Sequence, residues 1–147
     1  MSNRVLGLDI GGVLNNHDEA LSALRILKSR FSKVIIVSRV SALTDEGLEH
    51  RKRSLEWLDR KGFYETLGID SSNVYFCNEH RDKAPICRDL EVTDFVDDRL
   101  EVLGALYELG IRNLFLYNPR YLEVERNKQY LDKVKVVENW AELEEIF

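Results

Sequence analysis

Short apolar runs alternate with segments of helical periodicity along almost the whole chain, and this rhythm limits the fold more than any other feature. The runs are Val5-Leu6-Gly7-Leu8, Val34-Ile35-Ile36-Val37, Val74-Tyr75-Phe76-Cys77, Asp94-Phe95-Val96, Leu114-Phe115-Leu116-Tyr117 and Val134-Lys135-Val136-Val137. Strands alternating with helices are the signature of βαβ units, which assemble into a parallel sheet. The first, second and fifth runs are nearly continuously apolar, as strands covered on both faces should be. The expected fold is a three-layer α/β/α, doubly wound, mainly parallel sheet of about five to six strands.

The segments between the runs support this. Leu21, Leu24, Leu27 and Phe31 form one helical stripe, and Leu100, Leu103 and Leu106 form another, with Gly110 placed to end it. From Thr44 to Lys61 a helix is expected, with Thr44 as N-cap, Leu43 stapled against Leu48, and Gly62 closing it. Asn139 and Glu142 have capping-box spacing before a short final helix carrying Trp140, Leu143 and Phe147. Pro85 and Pro119 fall near helix starts, where proline is tolerated.

A chain of 147 residues fits one domain, and residues 1–147 are expected to form it without a separate cap domain. Asn15 to Lys33 holds one helix, and Arg39 to Asn73 one long helix and a short segment around Phe63–Leu67. The net charge of −5 argues against nucleic acid as partner, because that binding is dominated by basic residues. The run His50-Arg51-Lys52-Arg53 is expected to be a solvated face, since consecutive helical residues spread around the axis. No apolar stretch approaches a signal peptide or membrane span, so no membrane partner and a cytoplasmic location are expected. Cys77 and Cys87 are expected to be buried, inert thiols.

In open parallel sheets, ligands bind beyond the carboxyl ends of the strands, where the strand order reverses. Asp9 ends or nearly ends the first strand, Ser38 the second, and Asp97-Asp98 the fourth, while Lys83 lies between the third and fourth. Carboxylates, a hydroxyl and an ammonium at one edge suit a divalent cation and a phosphoryl group together. Mg²⁺ takes carboxylates plus substrate oxygens and water, and Lys83 and Ser38 would serve the phosphoryl oxygens.

These residues carry a resemblance. Leu8-Asp9-Ile10-Gly11-Gly12-Val13-Leu14 resembles the first motif of the haloacid dehalogenase (HAD)-like hydrolases, Val37-Ser38 the second, Lys83 the third and Phe95-Val96-Asp97-Asp98 the fourth, in the family's order and over essentially the whole chain. The resemblance implies a Mg²⁺-dependent phosphatase with Asp9 as nucleophile and metal ligand, and with Ser38 and Lys83 as its catalytic partners. It further implies that Asp98 binds the metal directly, Asp97 through water, and Gly11 through its backbone carbonyl. Ser38, Arg39, Lys83, Gly11 and Gly12 are the expected phosphate contacts.

The chain departs from the pattern at Gly11, where the family's phosphatases carry an aspartate as general acid and base. Losing such a group forfeits about 10²–10⁴ in rate. Turnover is therefore expected to be slow or limited to good leaving groups; the alternative is a phosphate-binding or regulatory protein on the same fold. Asn15-Asn16-His17-Asp18 is expected to be a turn and N-cap rather than a substitute base, and His50 and His80 to be surface residues. An open site suits a phosphorylated small molecule or macromolecule, or a second subunit as lid, with Trp57, Tyr64 and Tyr121 as candidate homo-oligomer contacts or core aromatics. Actin-like sugar kinases share only the Leu-Asp-Ile-Gly-Gly loop, and receiver domains place their acidic pair and lysine in a different order.

Overall fold

The computed structural model describes residues 3–147. Six strands form one sheet: β1 (Val5–Leu8), β2 (Lys33–Arg39), β3 (Val74–Cys77), β4 (Asp94–Asp97), β5 (Asn113–Tyr117) and β6 (Lys135–Val137). Their spatial order is β3-β2-β1-β4-β5-β6, with every neighbouring pair parallel. The fold is the expected three-layer, doubly wound α/β/α architecture. The chain builds outward from β1 to β3, then returns to lay β4 on the other side of β1, so the order reverses between β1 and β4. That is where a crevice opens in such a sheet.

Side chains alternate between the two faces with the two-residue period of a strand. Leu6, Leu8, Ile36, Val96 and Phe115 enter one core with α1 (His17–Leu27), α3 (Phe63–Leu67) and α7 (Trp140–Ile146). Val5, Ile35, Val37, Phe95, Leu114 and Leu116 enter the other with α4 (Lys83–Asp89) and α5 (Leu100–Glu108). Both predicted leucine stripes are buried, although Phe31 packs from beyond the end of α1. Gly7 is required by packing, because a β-carbon there would run into the Phe95 ring.

Helix α2 (Asp45–Arg60) is different. Leu58 is its one buried residue among sixteen, so it cannot be held by core packing of its whole length. Its entry is fixed by polar contacts instead: Arg51 donates from Nε to the Val40 carbonyl at 2.6 Å and from its terminal nitrogen to Asn78 Oδ1 at 3.2 Å. The same Asn78 oxygen accepts from the Ala42 amide at 2.8 Å. Thr44 caps α2 as expected, accepting from Gly47 N at 3.0 Å, and Gly62 follows it with φ of 88°. The expected staple gives little: Leu43 and Leu48 are 76% and 51% exposed, because nothing packs over this outer helix end.

Other local expectations are corrected in part. Asn16 precedes α1 but makes no side-chain cap. Asn139 accepts from Glu142 N at 3.0 Å, while the Glu142 carboxylate reaches Glu138 N rather than closing the box. Cys77 and Cys87 are buried and free, and burial pushes their thiols up to about 11 and about 12. Among the described residues no helix is long and apolar enough to cross a membrane.

Candidate active site

Strand ends deliver the site. Asp9 directly follows β1, whose end is tied to β4 by the hydrogen bond from Asp9 N to the Val96 carbonyl at 3.1 Å. Asp97 is the last residue of β4 and Asp98 the next. Ser38 lies near the end of β2, and Lys83 opens α4. The register of the parallel ladder therefore brings together residues separated by up to 89 positions in the sequence.

Lys83 is 1% exposed, and its Nζ donates to Asp9 Oδ1 at 2.9 Å and to Asp97 Oδ2 at 2.8 Å. Burial alone would discharge the amine, but the Asp97 and Asp9 carboxylates outweigh it and hold its pKa above the ordinary value. The other Asp97 oxygen accepts from Arg99 N at 3.0 Å. Burial, reinforced by the charge of Asp97, raises Asp9 well above the ordinary carboxylate range, with Lys83 opposing. Burial and Asp97 likewise push Asp98 up to about 6. The Asp9, Asp97 and Asp98 carboxylates each offer an oxygen within 4.8 Å of the others. One ammonium cannot neutralise three crowded carboxylates, so a hard divalent cation with oxygen preference fits this donor set.

The loop after Asp9 is built for close approach. Gly12 has φ of 77°, and a β-carbon on it would collide with the Asp98 carboxylate. Asn15 Oδ1 accepts from Gly12 N at 3.2 Å, and the Trp140 indole donates to the Val13 carbonyl at 3.0 Å, so α7 buttresses this loop. Gly11 is exposed, and a β-carbon there would meet nothing within 4 Å. A side chain could begin here without a clash at its β-carbon, and the chain does not use the position.

A cavity of about 940 Å³ opens above these residues. Asp9, Gly11, Gly12, Ser38, Arg39, Lys83 and Asp98 line it, while Asp97 lies beneath, fully buried and bonded to Lys83. The remaining wall differs from expectation. His50, Arg53, Trp57 and Arg60 of α2 all line it, so half of the basic run faces the site and is not simply a solvated face; Arg51 is the anchor described above. His80 is half-buried on the same wall, not a surface residue, and burial with nearby Arg99 holds its pKa below the usual value. His17 is outside the wall and packs edge-on to Trp57 at 6.3 Å. Trp57 stacks on Phe63 at 5.5 Å, whereas Tyr121 is 75% exposed. Positions 50, 53, 57 and 60 share a helical face, a signal carried in the sequence by spacing and not by the run of four consecutive residues.

Similar folds occur among solved structures. A D,D-heptose 1,7-bisphosphate phosphatase from Burkholderia thailandensis superposes with a TM-score of 0.60 at 19% identity, covering 98% of this chain and 97% of that one. The corresponding enzyme from B. bronchiseptica, solved with magnesium and phosphate, gives 0.58 at 17% identity, covering 97% of each chain. A Burkholderia xenovorans LB400 protein described as a haloacid dehalogenase-like hydrolase gives 0.53 at 19% identity over 86% of this chain and 56% of that one. The chain shares its fold with these proteins. At these identities the likeness concerns architecture. Neither family sequence models nor curated protein sequences yield a match.

Proposed function

We propose that the protein is a Mg²⁺-dependent phosphohydrolase of the HAD type, acting through an aspartyl phosphate on Asp9. The observation that carries this reading is the clamp of Lys83 on Asp9 and Asp97, with Asp98 beside them, at the point where strand order reverses. We read residues 1–147 as one domain without a separate cap, since a single sheet organises every described element.

In this reading an Asp9 carboxylate oxygen attacks phosphorus while the bond to the leaving oxygen breaks, and that oxygen departs with the electron pair. Water then attacks the phosphorus of the aspartyl phosphate, which restores the Asp9 carboxylate, releases inorganic phosphate and sends a proton to solvent. Lys83 keeps Asp9 oriented and offsets negative charge on the phosphoryl oxygens. Ser38 and Arg39, with the backbone at Gly11 and Gly12, supply further contacts. Asp9, Asp98, the Gly11 carbonyl and, through water, Asp97 would hold Mg²⁺, which when bound withdraws charge from the transferring phosphoryl group.

Gly11 provides no general acid or base, so hydrolysis is slow or restricted to substrates whose leaving group needs little protonation, such as aryl or acyl phosphates. The same open position favours a second reading, a phosphate-binding or regulatory protein that no longer turns over. A screen of phosphorylated substrates with and without Mg²⁺, using Asp9→Asn as control, separates the two. Metal-dependent release of phosphate above that control supports the enzyme, and none above it supports the binding protein.

A further inference from the structure

The cavity carries more cationic surface than one phosphoryl group requires. Lys83 is already held by two carboxylates. Beyond it, Arg39, Arg53, Arg60, Arg99 and Arg120 line the cavity, opposed among the described residues outside the acidic cluster by Glu56 of α2 alone. In a chain with a net charge of −5 this is a local concentration of positive charge, which attracts anions into a cleft.

These arginines are not equally held. Arg39 donates from Nε to the Asn78 carbonyl at 2.9 Å, and Arg99 reaches Glu101 at 3.7 Å. Arg120 has no side-chain hydrogen bond or ion pair with any described residue, and neither do Arg53 and Arg60, which share α2. They are seven residues apart, two helical turns or about 10.5 Å along one face. Between them Trp57 stacks on Phe63 and Leu58 is fully buried, so this stretch of helix is held in place. Most acids of α2 lie away from the cavity. Asp45, Glu46, Glu49 and Asp59 lie outside the cavity, as does Lys52, while Arg53 and Arg60 line it together with Glu56.

We infer that Arg53 and Arg60 form a second anion-binding subsite, and that the substrate is a small molecule with a second phosphate or carboxylate besides the phosphoryl group at Asp9. The inference rests on the reading of Asp9 as the phosphoryl site. A volume of about 940 Å³ suits a small ligand. Guanidinium groups are the fitting partners, since their forked donors match the oxygens of both anions.

The test measures dissociation constants by calorimetry on the full-length Asp9→Asn chain with Mg²⁺ at physiological ionic strength. Fructose 1,6-bisphosphate is compared with fructose 6-phosphate, and 6-phosphogluconate with glucose 6-phosphate, so that the two pairs distinguish phosphate from carboxylate as the second anion. At least one doubly anionic probe should bind about ten-fold or more tighter than its partner. Adding Arg53→Ala and Arg60→Ala should cut that preference to about two-fold or less, and adding Lys52→Ala should leave it. Both arginines are exposed and unpaired, and alanine favours helix, so folding is not at risk. Equal binding within both pairs, no binding of any probe, or a preference that survives the double substitution overturns the subsite. Hydrolysis of an aryl phosphate by the unsubstituted chain reports separately on the phosphatase reading: turnover without any two-anion preference rejects the subsite alone. An arginine-dependent preference without turnover keeps the subsite and rejects hydrolysis.

Discussion

Gly12 and Asp98 are packed so closely that no side chain could stand between them: a β-carbon at Gly12 would overlap the Asp98 carboxylate. The backbone there is left-handed, with φ of 77°, which also disfavours any other residue. Gly12→Ala should therefore displace Asp98 from the carboxylate cluster. The expected outcome is a folded protein that is less stable by about 1–2 kcal/mol and whose thermal midpoint no longer rises with Mg²⁺. A full Mg²⁺ response in this variant would show that Asp98 is not a ligand.

Gly11 is the opposite case. Its β-carbon position is open, so Gly11→Asp should fold as the parent does. If the missing acid and base limits turnover, the substitution raises hydrolysis of alkyl phosphates by about 10²–10⁴ and that of aryl phosphates much less. Steady-state rates on the two substrate types check this, and an equal change on both would remove the explanation.

Lys83→Met leaves two buried carboxylates, Asp9 and Asp97, without their common cation. Removing one member of a buried ionic group costs about 3–5 kcal/mol, which urea unfolding at pH 7 would register. The sign with pH follows from burial: without the ammonium, the folded state favours protonated carboxyls more strongly than the unfolded chain does. The variant should thus regain stability as pH falls toward 5. A loss that is the same at both pH values would argue against uncompensated carboxylates as its cause.

Asp98 provides a pH dependence in the unsubstituted protein. Its pKa is raised from the ordinary 3.8 to about 6 by burial and Asp97. A folded-state pKa above the unfolded one means that the native chain binds an extra proton between those values. This group's contribution to stability therefore declines as pH rises from about 4 to about 6. Above that range the carboxylate is ionised and free to take a cation, so Mg²⁺ should raise the thermal midpoint more at pH 7.5 than at pH 5. A larger effect at pH 5 would contradict a carboxylate site.

The Arg51 contacts explain how the cavity keeps its wall. Arg51 joins α2 to Val40 and Asn78, at the ends of β2 and β3, and so sets where Arg53, Trp57 and Arg60 stand. From the sequence Arg51 belongs to a solvated basic run, because each of four consecutive helical residues points in a different direction. That geometry is correct, yet it implies that such a run divides between faces, and tertiary packing decides which face meets what.

By itself the sequence determined the order of strands and helices, the layered parallel fold and the identities of the residues at the strand ends. These are local properties: apolar runs, helical spacing and caps are written in neighbouring residues, and a parallel sheet always brings its strand ends to one edge. Only the tertiary structure decided that Lys83 bridges Asp9 and Asp97, that Gly12 must make room for Asp98, and that α2 turns its arginines toward the cavity. Those relationships join residues far apart along the chain. Each depends on burial, register and the placement of a weakly packed helix, which no single segment encodes.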